Sequence, residues 1–413
     1  MLDLKTKLAT GIATGAVLAN ALLPLAFAET TIIINGNGSN SNNDAVVNLN
    51  RDVNVDQNND ANVRNNVNVD ADTGNNDANN NTGNGEVSIE TGNAKADVSV
   101  NNTLNGNWAS VDCCDNGNTE VKISNNGSNS DNTVNLNSNN DINIDQNNDA
   151  YVRNNVNVDL DTGRNDANGN TGDGGVSIKT GNAKGNVSLN TVANFNHAVV
   201  GGNNGGGGSL SLWITGNGSN SDNDIIANLK SDIDIDQDND ADVRNYVDVD
   251  LDTGNNDANN NTGDGDVVID TGDAEANVNV DTWVNFNHAA ADCGCLFGDL
   301  TVKVDGNGSN SDNTVNVNLN SDLDVDQDND ADVNNDVNVD ADTGKNDAED
   351  NTSGGDGDPS IETGDSETNV DVSTSGNVNV FGEDSDFELP DFDFDFDFSF
   401  NFSLSDLLAL LGL

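Results

Sequence analysis

Residues 225–253 read IIANLKSDIDIDQDNDADVRNYVDVDLDT, and the alternation inside this stretch decides the fold. Ile225, Ala227, Leu229, Ile233, Ile235, Gln237, Asn239, Ala241, Val243, Asn245, Val247, Val249, Leu251 and Thr253 share one parity, and the other parity is mostly Asp or Asn. A period of two sends successive side chains to opposite faces of a β-strand; a helix needs a period near 3.6. The same phase returns as Ile142, Ile144, Gln146, Asn148, Ala150, Val152, Asn154, Val156, Val158, Leu160 and Thr162.

Outward from this stretch the chain repeats. Gln57, Gln146, Gln237 and Gln327 head equivalent phrases at steps of 89, 91 and 90 residues. The phrase Gly36-Asn37-Gly38-Ser39-Asn40-Ser41 recurs around Gly127, Gly218 and Gly308, and Thr73-Gly74 recurs at Thr162-Gly163, Thr253-Gly254 and Thr343-Gly344. Three markers at one spacing define tandem units at residues 29–123, 124–213, 214–303 and 304–380. Random polar chain would not hold one phase through so many copies.

A straight strand of ~29 residues would span ~95 Å at ~3.3 Å per residue, well beyond ordinary strand length. The run is therefore expected to fold into shorter arcs, with Gln237, Asn239 and Asn245 at the bends. Buried amides at such places can stack on their copies in the next turn, each donating and accepting along a ladder. Small inward residues suit a narrow interior. The predicted fold is all-β, a tandem-repeat β-solenoid-like array; the alternative is four tandem β-sandwich domains, each of ordinary sandwich length.

The N-terminus carries Lys5 and Lys7, an apolar stretch from Leu8 to Leu23, and Ala26-Phe27-Ala28. This is the pattern of a signal peptide over residues 1–28, so the mature chain is expected to begin at Glu29, secreted to the extracellular space or cell surface, with no transmembrane segment. The 413 residues include 72 acidic and 14 basic side chains, a net charge of −58, with 33% hydrophobic and 4% aromatic residues. Such a polyanion repels phosphates, which argues against nucleic acid as a partner and for divalent cations.

Some families resemble parts of this chain. Gln57 with Ala61 resembles the Gln-to-Ala portion of curli-type amyloid repeats, and Gly354-Gly355-Asp356-Gly357-Asp358 resembles part of the calcium-binding nonapeptide of secreted toxins, with Pro359 where that pattern has Asp. Across residues 30–380 the composition resembles the Asn/Asp/Gly-rich repeat proteins of bacterial and archaeal surfaces. That resemblance implies an extracellular β-repeat protein.

The outward parity carries the candidate chemistry. Asp232, Asp234, Asp236, Asp238, Asp240 and Asp242 form one row, and Asp322, Asp324, Asp326, Asp328, Asp330 and Asp332 another. Carboxylates two residues apart on one face repel unless bridged, and calcium, which accepts several oxygens in loose geometry, is the expected bridge. Cys113, Cys114, Cys293 and Cys295 fall between units and are disulfide candidates in an oxidising compartment. His197 and His288 occupy matching Asn-Phe-Asn-His-Ala phrases, read as structural. No nucleophile elbow, zinc-protease helix or phosphate loop occurs, so no enzyme activity is expected.

The tail, 381–413, differs. Phe392, Phe394, Phe396, Phe398, Phe400 and Phe402 alternate with Asp393, Asp395, Asp397, Ser399 and Asn401, and a Leu-rich end follows. One apolar face on a lone strand predicts either a cap on the last repeat or a segment for self-association or docking to a cell-surface partner. The expected function is a secreted structural or matrix protein, cation-stabilised and fibre-forming; the alternative is an adhesin binding a glycan, mineral or other surface.

Overall fold

The structure is a computed structural model and describes residues 17–21, 30–111, 118–201, 209–291, 299–353 and 359–382. After a short strand β1 (Val17–Ala21), the first coil contains β2 (Thr30–Asn35), the long β3 (Asn42–Asp72), β4 (Val87–Glu90) and β5 (Ala94–Val111). The second repeats these as β6 (Thr119–Ser124), β7 (Asp131–Asp161), β8 (Val176–Lys179) and β9 (Ala183–Val200). The third has β10 (Ser209–Thr215), β11 (Asp222–Asp252), β12 (Thr262–Gly263), β13 (Val267–Asp270) and β14 (Ala274–Ala291). The fourth has β15 (Asp299–Asp305), β16 (Asp312–Asp342), β17 (Thr352–Ser353), β18 (Ser360–Glu362) and β19 (Ser366–Phe381).

Each of these strands lies parallel to its counterpart one coil away, and the long strands form a sheet in the order β16-β11-β7-β3. The chain is a β-solenoid-like array in which one sequence unit makes one coil. Four separate sandwiches are excluded, because the strand pairing runs between units rather than within them. The register is residue for residue, Gln57 on Gln146 on Gln237 on Gln327. The unequal unit lengths are absorbed in the connections, so no column of side chains slips.

The long strand departs from the sequence expectation. It is one ladder of 31 residues in every coil, not a set of shorter arcs, and pairing passes through Gln237, Asn239 and Asn245 without a break. The usual limit on strand length comes from the width of a compact core. A coil stacked on its own copies meets no such limit, since every residue finds its partner directly above or below.

The return layer closes the core. Ile32 and Ile34 of β2 pack with Ala45, Val47 and Leu49 of β3. Further along, Val53 and Val55 meet Ala109 and Val111, and Val67, Val69 and Ala71 meet Ala94, Ala96, Val98 and Val100. The return strand changes parity once. Ala94 to Leu104 bury even positions, Asn107 to Val111 odd ones, and the shift occurs at Asn105, whose φ is 56°. Asn194, Asn285 and Asn377 hold the same left-handed backbone at 63°, 63° and 56°, so every coil carries the same bulge.

Between the layers the buried amides form ladders along the stack. Asn59 donates to Asn148, Asn148 to Asn239 and Asn239 to Asn329, each at 2.9 Å. The glutamines run the opposite way: Gln327 donates to Gln237 at 2.6 Å, Gln237 to Gln146 and Gln146 to Gln57 at 2.7 Å. Rungs also cross the core, where Asn148 donates to Asn196 at 2.7 Å and Asn107 donates to Asn148 at 3.0 Å. The turns are as close as the ladders. A Cβ on Gly163 would stand 1.9 Å from the Gly254 carbonyl oxygen, so no side chain fits that column.

Asn148→Leu is expected to destabilise the array by about 3 kcal/mol, because several buried amides lose a partner at roughly 1–3 kcal/mol each. Gly163→Ala should cost a similar amount through the clash, on the order of 3 kcal/mol. Asn157→Ser, where the side chain bonds Asn68 at 2.8 Å on the outer face, should stay within about 0.5 kcal/mol of the parent. Urea unfolding of the three variants checks this ordering.

The outward aspartate columns as a candidate cation-binding face

Stacking converts rows along the chain into columns across coils. Asp232 and Asp322 extend a column that begins at Asp52 and Asp141, so this position is Asp in every coil. Asp236 with Asp326 continues Asp56 and Asp145, and Asp240 with Asp330 continues Asp60 and Asp149. The columns between them are mixed: Asp234 and Asp324 lie over Asn54 and Asn143, and Asp238 and Asp328 over Asn58 and Asn147. Asp242 and Asp332 share a column with Asn62 and Tyr151. All twelve candidate aspartates therefore belong to one outer face, with neighbouring strands at ~4.8 Å.

A shallow groove of about 590 Å³ crosses all the coils at two of these columns. It is lined by Asp52, Asn54, Asp141, Asn143, Asp232, Asp234, Asp322, Leu323 and Asp324. Asp52 and Asp141 were not singled out from the sequence, because the first two units lack continuous Asp rows. The signal was there in the repeat step, which puts each outward position over its equivalents and makes every second one, Asp52, Asp56 and Asp60, an all-Asp column.

Charge is balanced at the edges of the face and not in its middle. Lys230 lies 3.0 Å from Asp232, and Arg244 lies 2.9 Å from Asp242. Among the described residues no ion pair reaches Asp234, Asp236, Asp238 or Asp240. These four carboxyls are raised above the ordinary aspartate value, first by burial and then by their acidic neighbours, such as Asp145 and Asp326 beside Asp236. Asp159, Asp166, Asp222, Asp250 and Asp257 are raised for the same reasons in the same order. Asp161 goes furthest, to about 6, because burial outweighs Arg164 at 3.1 Å. Among the described residues no three acidic, imidazole or thiol groups converge into a preformed metal cage.

The opposite outer face carries aromatic columns. Trp108 lies against His197 at a 40° tilt with ring centroids 3.9 Å apart, and His197 stacks on His288 at 4.8 Å. Burial, then the neighbouring His288, lowers His197 to about 4. Trp213 sits between Lys122 and Lys303, which lie 5.3 and 5.7 Å from its ring centre. Cys113, Cys114, Cys293 and Cys295 lie outside the described residues, as do Gly354–Asp358 and Phe392, Phe394, Phe396, Phe398, Phe400 and Phe402. Among the described residues no helix is long and apolar enough to cross a membrane. No protein family, no characterised protein and no solved structure matches this chain.

The shifts fix a direction for pH dependence. A carboxyl whose folded pKa is raised binds its proton more tightly folded than unfolded, so acidification stabilises the fold. For Asp161 the penalty is full above pH about 6 and disappears below its ordinary value of 3.8. His197 acts oppositely as pH falls from 6.5 towards 4, as do the lowered Asp342 and Glu275 in the carboxylate range. The raised carboxyls outnumber these. At low ionic strength the melting midpoint should rise as pH falls from about 5 to about 4, the range just above the ordinary aspartate value where these carboxyls take up protons against a single imidazole, and a scanning-calorimetry series checks the sign.

Proposed function

We propose that this chain is a secreted, non-enzymatic structural protein of the cell surface or extracellular matrix, a rigid solenoid whose acidic face is held together by divalent cations. The observation that carries the reading is the set of outer columns that are Asp in every coil, with their central carboxyls raised by burial and by one another. Stacking such columns costs free energy unless the charge is screened, protonated or bridged. Calcium suits the spacing, since Ca–O distances of about 2.3–2.6 Å let one ion touch carboxylates on strands ~4.8 Å apart. The bound ion would keep part of its water and bridge neighbours rather than enter a closed cage.

Outside the cell, where calcium is abundant, the same columns become an asset. The signal-like N-terminus supports that location, and the alternating Phe392–Phe402 segment supports attachment to a surface partner or self-association. A flat polar surface also supports adhesion to a glycan or mineral. Its basis is the outward Asn48, Asn137, Asn228 and Asn318 ladder, with bonds of 2.8, 2.9 and 2.7 Å.

Millimolar calcium should raise the melting midpoint, and chelator should lower it, by more than sodium at matched ionic strength. If sodium does equally well, the effect is screening and the bridging reading fails. N-terminal sequencing of protein from the extracellular fraction should begin at Glu29. A chain found only inside the cell with Met1 intact would overturn the export reading.

A further inference from the structure

Among the described residues the outer edges of β3 and β16 have no strand partner, and the core columns of coil 1 are mostly buried. In the long sheet β3 and β16 are the terminal strands, so each has a coil on one side only. At the C-terminal end this leaves core-column residues uncovered. Leu300, Val302 and Val304 are 47%, 47% and 48% exposed, whereas Leu210, Leu212 and Ile214 in the same columns are fully buried. Val370 and Val372 are each 44% exposed over the nearly closed Val278 and Val280. An unpaired edge with bare apolar columns recruits another strand layer.

We infer that coil 4 of one chain stacks on coil 1 of a second copy, continuing the solenoid head to tail into a filament; this rests on the structural-protein reading above. Three features select that occupant over a single added strand. The first is breadth: β15, β16 and β19 are terminal strands of three sheets, and a whole coil matches all of them where one strand covers one layer.

The second is the ladders. Asn329 donates to Asn379 within its coil at 2.6 Å, as Asn239 does to Asn287 at 2.7 Å, but Asn239 also donates to the coil beyond. Asn59 of a second copy continues that column, and its Gln57 continues the column ending at Gln327. The Phe row of the tail would set aromatic rings against these amides and leave them unpaired.

The third is charge. Coil 4 would set Asp324, Asp328, Asp332 and Asp336 over Asn54, Asn58, Asn62 and Asn66 of coil 1, whereas within the chain Asp324 and Asp328 already lie over Asp234 and Asp238. The junction between copies thus has less repulsion than a junction the fold already tolerates. Among the described residues the one strand pairing on the coil-1 side, β1 against Gly106–Ser110, belongs to the segment marked for removal at Ala28, so export would clear it.

The test uses the full chain with an engineered protease site after Ala28, cleaved and held in millimolar calcium. Electron microscopy should show filaments with an axial repeat of about 19 Å, four coils at about 4.8 Å each. Val302→Lys with Val372→Lys should abolish them while leaving the circular-dichroism spectrum and melting midpoint near those of the parent. Phe396→Asp with Phe400→Asp, and Tyr246→Lys on the outer face of coil 3, should leave filaments intact. Should the Lys pair unfold the chain, Asn58→Cys with Asp328→Cys decides. Those surface positions lie three coils apart in one chain and should oxidise to a multimer ladder, beyond any formed by the parent, only where coil 4 meets coil 1. A parent that stays monomeric, filaments that survive the Lys pair, or filaments lost in the Phe-to-Asp variant would overturn the inference. A monomer whose melting midpoint still rises with calcium would leave the cation-stabilised reading standing.

Discussion

The rest of the structure depends on coil-to-coil registry, because each unit completes its hydrogen bonds only through its neighbours. The backbone of a 31-residue strand has its partners in the adjacent coils, and the buried Gln and Asn side chains complete their bonding there as well. A slip of one residue would put Asp in the core and Val in water. Chemically identical columns remove that hazard, since Gln meets Gln and Gly meets Gly only in one alignment. The amides thus act as registration marks as well as satisfied polar groups.

Registry has an electrostatic consequence. Once the core columns are aligned, the outer columns are aligned too, and carboxylates at the same position in each unit are forced together. The raised aspartates of the central coils are the local expression of this conflict. The first two coils soften it with Asn at alternate positions, and the third and fourth do not. Bridging ions or an acidic medium would relieve what the side chains themselves leave unrelieved.

Solenoid stability is local and additive, each coil contributing its own packing and one interface. The interior coils are sealed: Ile142, Ile144, Ile233 and Ile235 are almost wholly buried, with only small side chains opposite them in Ala198 and Ala289. Few aromatics are needed, because two layers separated by short side chains leave no wide core to fill. The acidic composition, which places the chain near the disordered class, is compatible with a packed fold for the same reason: the acid of the long strands lies on their outward parity.

The sequence by itself determined the strand period, the unit length and the identity of the inward residues, since alternation and equal spacing are properties of the chain alone. It also disclosed the amide ladders, because a buried amide recurring at a fixed step has few other ways to be satisfied. Only the tertiary structure decided that the long run stays one strand, because its length is permitted by pairing with other coils and by nothing within the run. The bulge at Asn105 was likewise hidden: the left-handed φ is imposed where β5 must bring Asn107 inward opposite Asn59. The same holds for the cation face. Asp234 and Asp236 are rows in the sequence, but Asp52, Asp141, Asp232 and Asp322 become one column only when separate units are stacked, and proximity between units is not a property any single unit carries.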